Sequence, residues 1–228
     1  IQELSSAVLE GCGLEPIRSI RDGIAGYPLR TEAKIEATSP EIYHTAQQRS
    51  RAAGNRREIS GSFNLGFGYM RVNEKAPLQF LAAKLDGEVS AGLSFYNDQQ
   101  DRCVRIIDGF TQDSLSMGPV LNHAVRLASS KLDAVYMEMD VLSSAPRLIK
   151  CAEQLGFLPV AYLPGFTAEN GNTTDVVKMV KLNTGYALEN IHLTPAAESV
   201  VHIVDECFQA QKADATVMKL LRSLPLFE

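Results

Sequence analysis

The side chains best suited to bind a transition metal or act as nucleophiles at neutral pH are four cysteines, Cys12, Cys103, Cys151 and Cys207, and four histidines, His44, His123, His192 and His202. Their spacing argues against a metal centre, because no CxxC pair occurs and no histidine lies at ligand spacing from a cysteine. No metal is therefore expected. The cysteines read as reduced thiols of a cytoplasmic protein, since no signal peptide precedes them. His123 falls in an apolar-periodic stretch and His202 near the end of the chain, where packing or surface roles are usual. The basic run Arg49, Arg51, Arg56 and Arg57 is suited to an anion, although such clusters are more often solvated helix ends.

Charge and hydropathy exclude several partners. A formal net charge of -5 and a pI near 5.5 give no general attraction to phosphate backbones or anionic lipid, so neither nucleic acid nor membrane is expected. No apolar run approaches the roughly 20 residues of a membrane span. With 45% hydrophobic and 21% charged residues, the 228-residue chain has an ordinary globular composition and length enough to bury a core. Its start at Ile1 fits a removed tag, a processed start or an excised piece of a longer polypeptide.

The elements that must position any site follow from local pattern. Residues 1–30 read as an N-terminal appendage: a short helix closed by Gly11 and Gly13, an extended stretch, and a loop over 23–28. A strand over 31–37 precedes a helix that opens at Ser39-Pro40 and stops at Gly54-Asn55. The glycine-spaced aromatic run over 63–69 suggests strand or loop. Apolar runs over 78–85 and 89–95 flank Asp86-Gly87, a strong hairpin signal, and a third run over 103–110 completes an antiparallel meander. The period then changes to helical over 117–131. A strand over 134–141, a helix over 145–155 ending on Gly156, and strands over 158–163 and 175–182 follow. Thr194-Pro195 opens a helical tail whose Val200, Val201, Ile203, Val204 and Phe208 need a surface to bury against, either the main domain or a second subunit of a homodimer. The fold class is thus α/β (α+β), a mixed central sheet with flanking helices over 31–183, followed by a C-terminal helical extension over 184–228.

Residues 76–182 carry a resemblance. The order hairpin, strand, helix, strand, helix, strand, strand, the step Glu153-Gln-Leu-Gly-Phe157 followed by Leu-Pro-Val-Ala-Tyr162, and the closing Thr174-Asp-Val-Val-Lys-Met-Val-Lys-Leu182 are similar to the core of the GCN5-related N-acetyltransferase superfamily. The resemblance implies acetyl-CoA as co-substrate and a small-molecule or protein amine as acceptor. It also implies that the strands over 103–110 and 134–141 splay apart so that the pantetheine arm lies between them as a further strand. The pyrophosphate would then sit at the N-terminus of the helix starting near Met117, where free N–H groups and the helix dipole attract anions.

On that resemblance Ile107, Gly109, Phe110, Ser114, Ser116, Met117 and Gly118 would line the cofactor, and a backbone N–H near Gly109 would hold the oxyanion. Asp108 is the best-placed general base, with Glu138 and Asp140 next; Tyr136 and Cys151 are the substitute proton donors. Two departures stand out. The family's phosphate loop appears as Asp113-Ser-Leu-Ser-Met-Gly118, in which only Gly118 matches, Ser116 reads as an ordinary N-cap, and Pro119 removes an N–H. The family's Asn and leaving-group Tyr fall at Ala145 and Ala152, which cannot do proton chemistry. Three functions compete: an acyl-CoA-dependent N-acyltransferase, a non-catalytic ligand-sensing or interaction domain of a larger regulatory protein, and a thioester decarboxylase or S-acyltransferase.

Overall fold

In the computed structural model, residues 25–29, 32–55, 57–60, 78–113, 115–169 and 172–184 are described, with scattered positions between 192 and 209. The expected N-terminal helix, the aromatic run over 63–69 and Ser114 lie outside the described residues. The chain divides into two compact units, one of Ile1–Arg18 with Tyr186–Glu228 and one of Ser19–Gly185. In the first unit, Glu198 N–H donates to Thr194 C=O at 2.9 Å, one helical turn where Thr194-Pro195 was expected to open a helix. All strands and helices below belong to the second unit.

Local chemistry explains the framework. Strands β3 (Gln79–Leu85) and β4 (Glu88–Asp98) meet at Asp86-Gly87, whose φ values of 51° and 84° are those of the tight hairpin turn that Asp-Gly favours. Helix α1 (Pro40–Ala52) starts where the Ser39 hydroxyl accepts the Ile42 N–H, with Pro40 pre-set for the first turn. Helix α2 (Met117–Ser130) buries Val120, Leu121, Ala124, Val125 and Ala128 as one stripe. Helix α3 (Pro146–Gln154) ends in a Schellman motif: Phe157 N–H reaches Ala152 C=O, Gly156 N–H reaches Glu153 C=O, and Gly156 takes φ 87°. Phe157, fully buried, anchors the turn in the core.

Eight strands form one sheet in the order β1-β3-β4-β5-β2-β6-β8-β7, where β1 is Lys34–Ala37, β2 Ile59–Ser60, β5 Cys103–Thr111, β6 Tyr136–Leu142, β7 Leu158–Glu169 and β8 Asn172–Leu182. Among the described strands only β5 and β6 run parallel, the crossover being supplied by α2. Alternation splits the core across the two faces. Leu81, Phe95, Val104 and Ile106 pack with α2 and α3, whereas Phe80 and Phe110 pack with Tyr43 and Ala46 of α1. The helices therefore flank a mixed sheet, as the pattern predicted. Strands β7 and β8 extend beyond the expected 158–163 and 175–182, because a register shift between Leu163 and Thr167 absorbs Pro164-Gly165 without ending the pairing.

Candidate functional site

The parallel pairing of β5 and β6 covers Cys103–Tyr136 through Ile106–Met139 and then stops. A bulge starts the divergence: Phe95 pairs with Ile106 and Ser94 with Asp108, which leaves Ile107 as the extra residue, just before the expected Asp108-Gly109 position. Beyond it the two strands splay, as the resemblance implied.

The gap is filled by the chain itself. Ile59 of β2 pairs with Gly109 on one side and with Val141 on the other, Ser60 pairs with Asp108, and Leu142 N–H donates to Glu58 C=O at 2.9 Å. The Ile59 side chain is fully buried. A Cβ on Gly109 would stand 2.8 Å from Ile59 Cδ1 and 3.3 Å from Met117 Cε, so a glycine at 109 makes the hole this isoleucine fills. The Gly109 N–H, the expected oxyanion donor, lies 3.0 Å from the Asp108 carboxylate. Phe110 turns its ring to the other face, against Tyr43.

The entry to α2 is also filled. Asp113 Oδ1 accepts the N–H groups of Leu115 and Ser116 at 2.7 Å each, and Oδ2 accepts the Ser116 hydroxyl at 2.7 Å. Ser116 stands at the N-cap position, yet its hydroxyl makes no capping bond. It donates to Asp113 and accepts from Ser90, so the expectation of an ordinary serine cap is corrected: Asp113 organises the turn that leads into the helix. Against the same turn lies the segment 25–29. A Cβ on Gly118 would meet Pro28 O at 2.2 Å and Tyr27 Cβ at 2.8 Å. Tyr27 is buried, its ring lies under the Arg147 guanidinium at 4.3 Å, and its hydroxyl donates to Glu58. Burial and the Glu58 carboxylate together hold the Tyr27 hydroxyl protonated, and burial raises Glu58 above the ordinary carboxylate range.

On the α1 face the expected acid–base residues each carry partners. Asp108 receives Arg57 Nε at 2.8 Å and the Gln47 amide. Glu138 accepts the Tyr136 hydroxyl at 2.9 Å and forms an ion pair with Arg105 at 2.8 Å, and Asp140 forms an ion pair with Lys178 at 2.7 Å. Burial, then Glu138, pushes the Tyr136 phenol upward. Cys151 is a fully buried residue of α3, its thiol pushed up to about 12 by burial, and Ala145 and Ala152 are core residues. The structure thus gathers Ile107, Gly109, Met117 and Gly118 around the splay and α2. It sets Asp108, Glu138 and Tyr136 on the opposite face, and Cys151 away from them.

Gln47, Arg57, Arg105 and Lys178 were not among the sequence candidates, although Arg57 belonged to the basic run. Tyr27 and Ile59 carried no signal at all, since a loop tyrosine and a lone apolar residue are common. Acetyl-CoA does not fit the site in this arrangement. The backbone edges of the splay are engaged by β2, the Asp113 carboxylate occupies the turn just before α2, and the Pro28 carbonyl stands against Gly118.

No protein-family profile matches the chain, and neither does any curated protein sequence. Solved structures do match. The yncA protein of Salmonella typhimurium, solved with acetyl-CoA, aligns over 71% of this chain and 100% of its own at 14% identity and a TM-score of 0.51. A point variant of the spermidine N-acetyltransferase SpeG from Vibrio cholerae aligns over 67% of this chain and 95% of its own, also at 14% identity, with a TM-score of 0.50. With the splayed parallel pair and the bulge, these likenesses establish the architecture: the chain has the fold of the GCN5-related N-acetyltransferases, in divergent form.

Proposed function

We propose that this chain is a non-catalytic domain of the acetyltransferase fold, used for ligand sensing or for interaction within a larger regulatory system. The observation that carries the reading is the state of the proton carriers. Asp108 and Glu138 are held by guanidinium groups, Tyr136 donates to Glu138, Cys151 is buried, and Ala145 and Ala152 occupy the positions the family uses for chemistry. A general base must turn an oxygen towards the proton it takes, and a carboxylate held in a charge-assisted pair can do so only by breaking or weakening that pair. Fold alone does not supply activity.

The test is direct. The full chain is incubated with acetyl-CoA and an amine panel of spermidine, free lysine and a lysine peptide, and CoA and acetylated product are quantified by chromatography. No amine-dependent CoA release above the protein-free control is expected; reproducible release with matching product removes the reading.

The second reading is an N-acyltransferase acting by direct attack of an amine on acetyl-CoA, with Asp108 as base. It is favoured by the bulge at Ile107, which turns Asp108 towards the α1 face beside the splay. It requires residues 57–60 to leave the gap, and Asp108→Asn would then abolish the release measured above.

A further inference from the structure

The filled splay, the Asp113-held turn before α2 and the buried loop tyrosine are three separate features that fit together as one. We propose that residues 25–29 and 57–60, with Asp113, are a built-in occupant of the channel that this fold presents to a nucleotide thioester, so that the chain binds itself there and excludes such a ligand.

Each part of the channel has its own filler. Between β5 and β6, where an extended arm would bond as another strand, Glu58 and Ile59 bond to both strand edges. In the turn that leads into α2, beside the place where a phosphate would meet the helix start, the Asp113 carboxylate accepts the Leu115 and Ser116 N–H groups and the Ser116 hydroxyl. Between these points the segment 25–29 packs on both helices: Leu29 C=O accepts the Asn122 amide of α2 at 3.1 Å, and Tyr27 lies under Arg147 of α3.

The fit is built from both sides. Gly118 leaves room on α2 for Pro28, and Gly26 leaves room on the segment for α3, since a Cβ there would meet Gln154 Oε1 at 2.9 Å and Cys151 N at 3.1 Å. Two glycines at two close approaches, one on each partner, let the segment and the helices come closer than any residue with a Cβ would allow. The Tyr27–Glu58 hydrogen bond then ties the two segments to each other.

The inference builds on the non-catalytic reading, yet the two fail differently. Isothermal titration of the full chain with acetyl-CoA at millimolar concentration is paired with a double-mutant cycle of Tyr27→Phe and Glu58→Gln, read by urea unfolding. Both substitutions keep side-chain volume, so the fold is retained. The expected result is no binding heat for the wild-type chain and a non-additive cycle, with each substitution lowering the folding constant several-fold less once its partner is changed. Binding of acetyl-CoA by the wild-type chain overturns the inference, and so does an additive cycle. Acetyl transfer that appears only in a Tyr27→Ala variant overturns the non-catalytic reading and leaves the occupant standing.

Discussion

Replacing Gly118 by alanine separates a docked segment 25–29 from an undocked one by the sign of a stability change. Gly118 is the second residue of α2, where a glycine-to-alanine change by itself stabilises a helix by up to about 1 kcal/mol. With the segment docked, the new Cβ would lie 2.2 Å from Pro28 O and 2.8 Å from Tyr27 Cβ. Both atoms sit on or next to the backbone, so relief requires moving the chain rather than rotating a side-chain tip. Overpacking of this kind costs about 1–3 kcal/mol, which exceeds the propensity gain. The net expectation is a loss of about 1 kcal/mol, or roughly 0.5 M in the urea midpoint for a slope near 2 kcal/mol/M. Equilibrium urea unfolding followed by far-UV circular dichroism reads the shift. A midpoint that rises in Gly118→Ala, as the helix term alone demands, would refute the docking of residues 25–29.

Other positions give independent checks. Gly156→Ala should lower stability by about 1–2 kcal/mol in the same assay, because Gly156 holds φ 87° in the α3 cap; an unchanged midpoint would contradict the Schellman geometry. Cys151, with its thiol near 12 and no exposure, should resist iodoacetamide at pH 8 in the folded chain and react in urea, as followed by mass spectrometry; labelling at the free-cysteine rate in the folded state would show α3 open. Glu58 titrates above its ordinary value in the folded state, so its contribution is fully present below the unfolded glutamate pKa and is lost as pH rises through the folded one. Glu58→Gln should therefore gain on the wild type as pH rises from the ordinary glutamate range to above the folded value. A stability difference that is flat across that window would place the carboxylate in water.

Much of the scaffold was legible because its signals are local. Asp86-Gly87 specifies a turn by its own backbone preferences, Gly156-Phe157 specifies a helix end, and the 117–131 periodicity places a helix within a residue of its observed bounds. The length of β7 and β8 was not legible, since Pro164-Gly165 reads as a terminator unless a register shift carries the ladder past it. The site resisted for a different reason. Ile59 and Tyr27 matter through partners 50 or more residues away, such as Gly109 and Val141 for Ile59 and Gly118 for Tyr27, and no periodicity records such pairings. Asp113 shows the half-legible case: its sequence position marked the loss of a phosphate loop, while its role in holding the turn before α2 emerged only from the hydrogen bonds it accepts.

The most direct measurement is a crystal structure of the full chain grown with millimolar acetyl-CoA. A self-filled channel predicts main-chain density for residues 57–60 joining β5 and β6, with Ile59 seated over Gly109 and the Asp113 carboxylate at the start of α2. Continuous density for a pantetheine arm between the two strands, with residues 57–60 displaced, would contradict it.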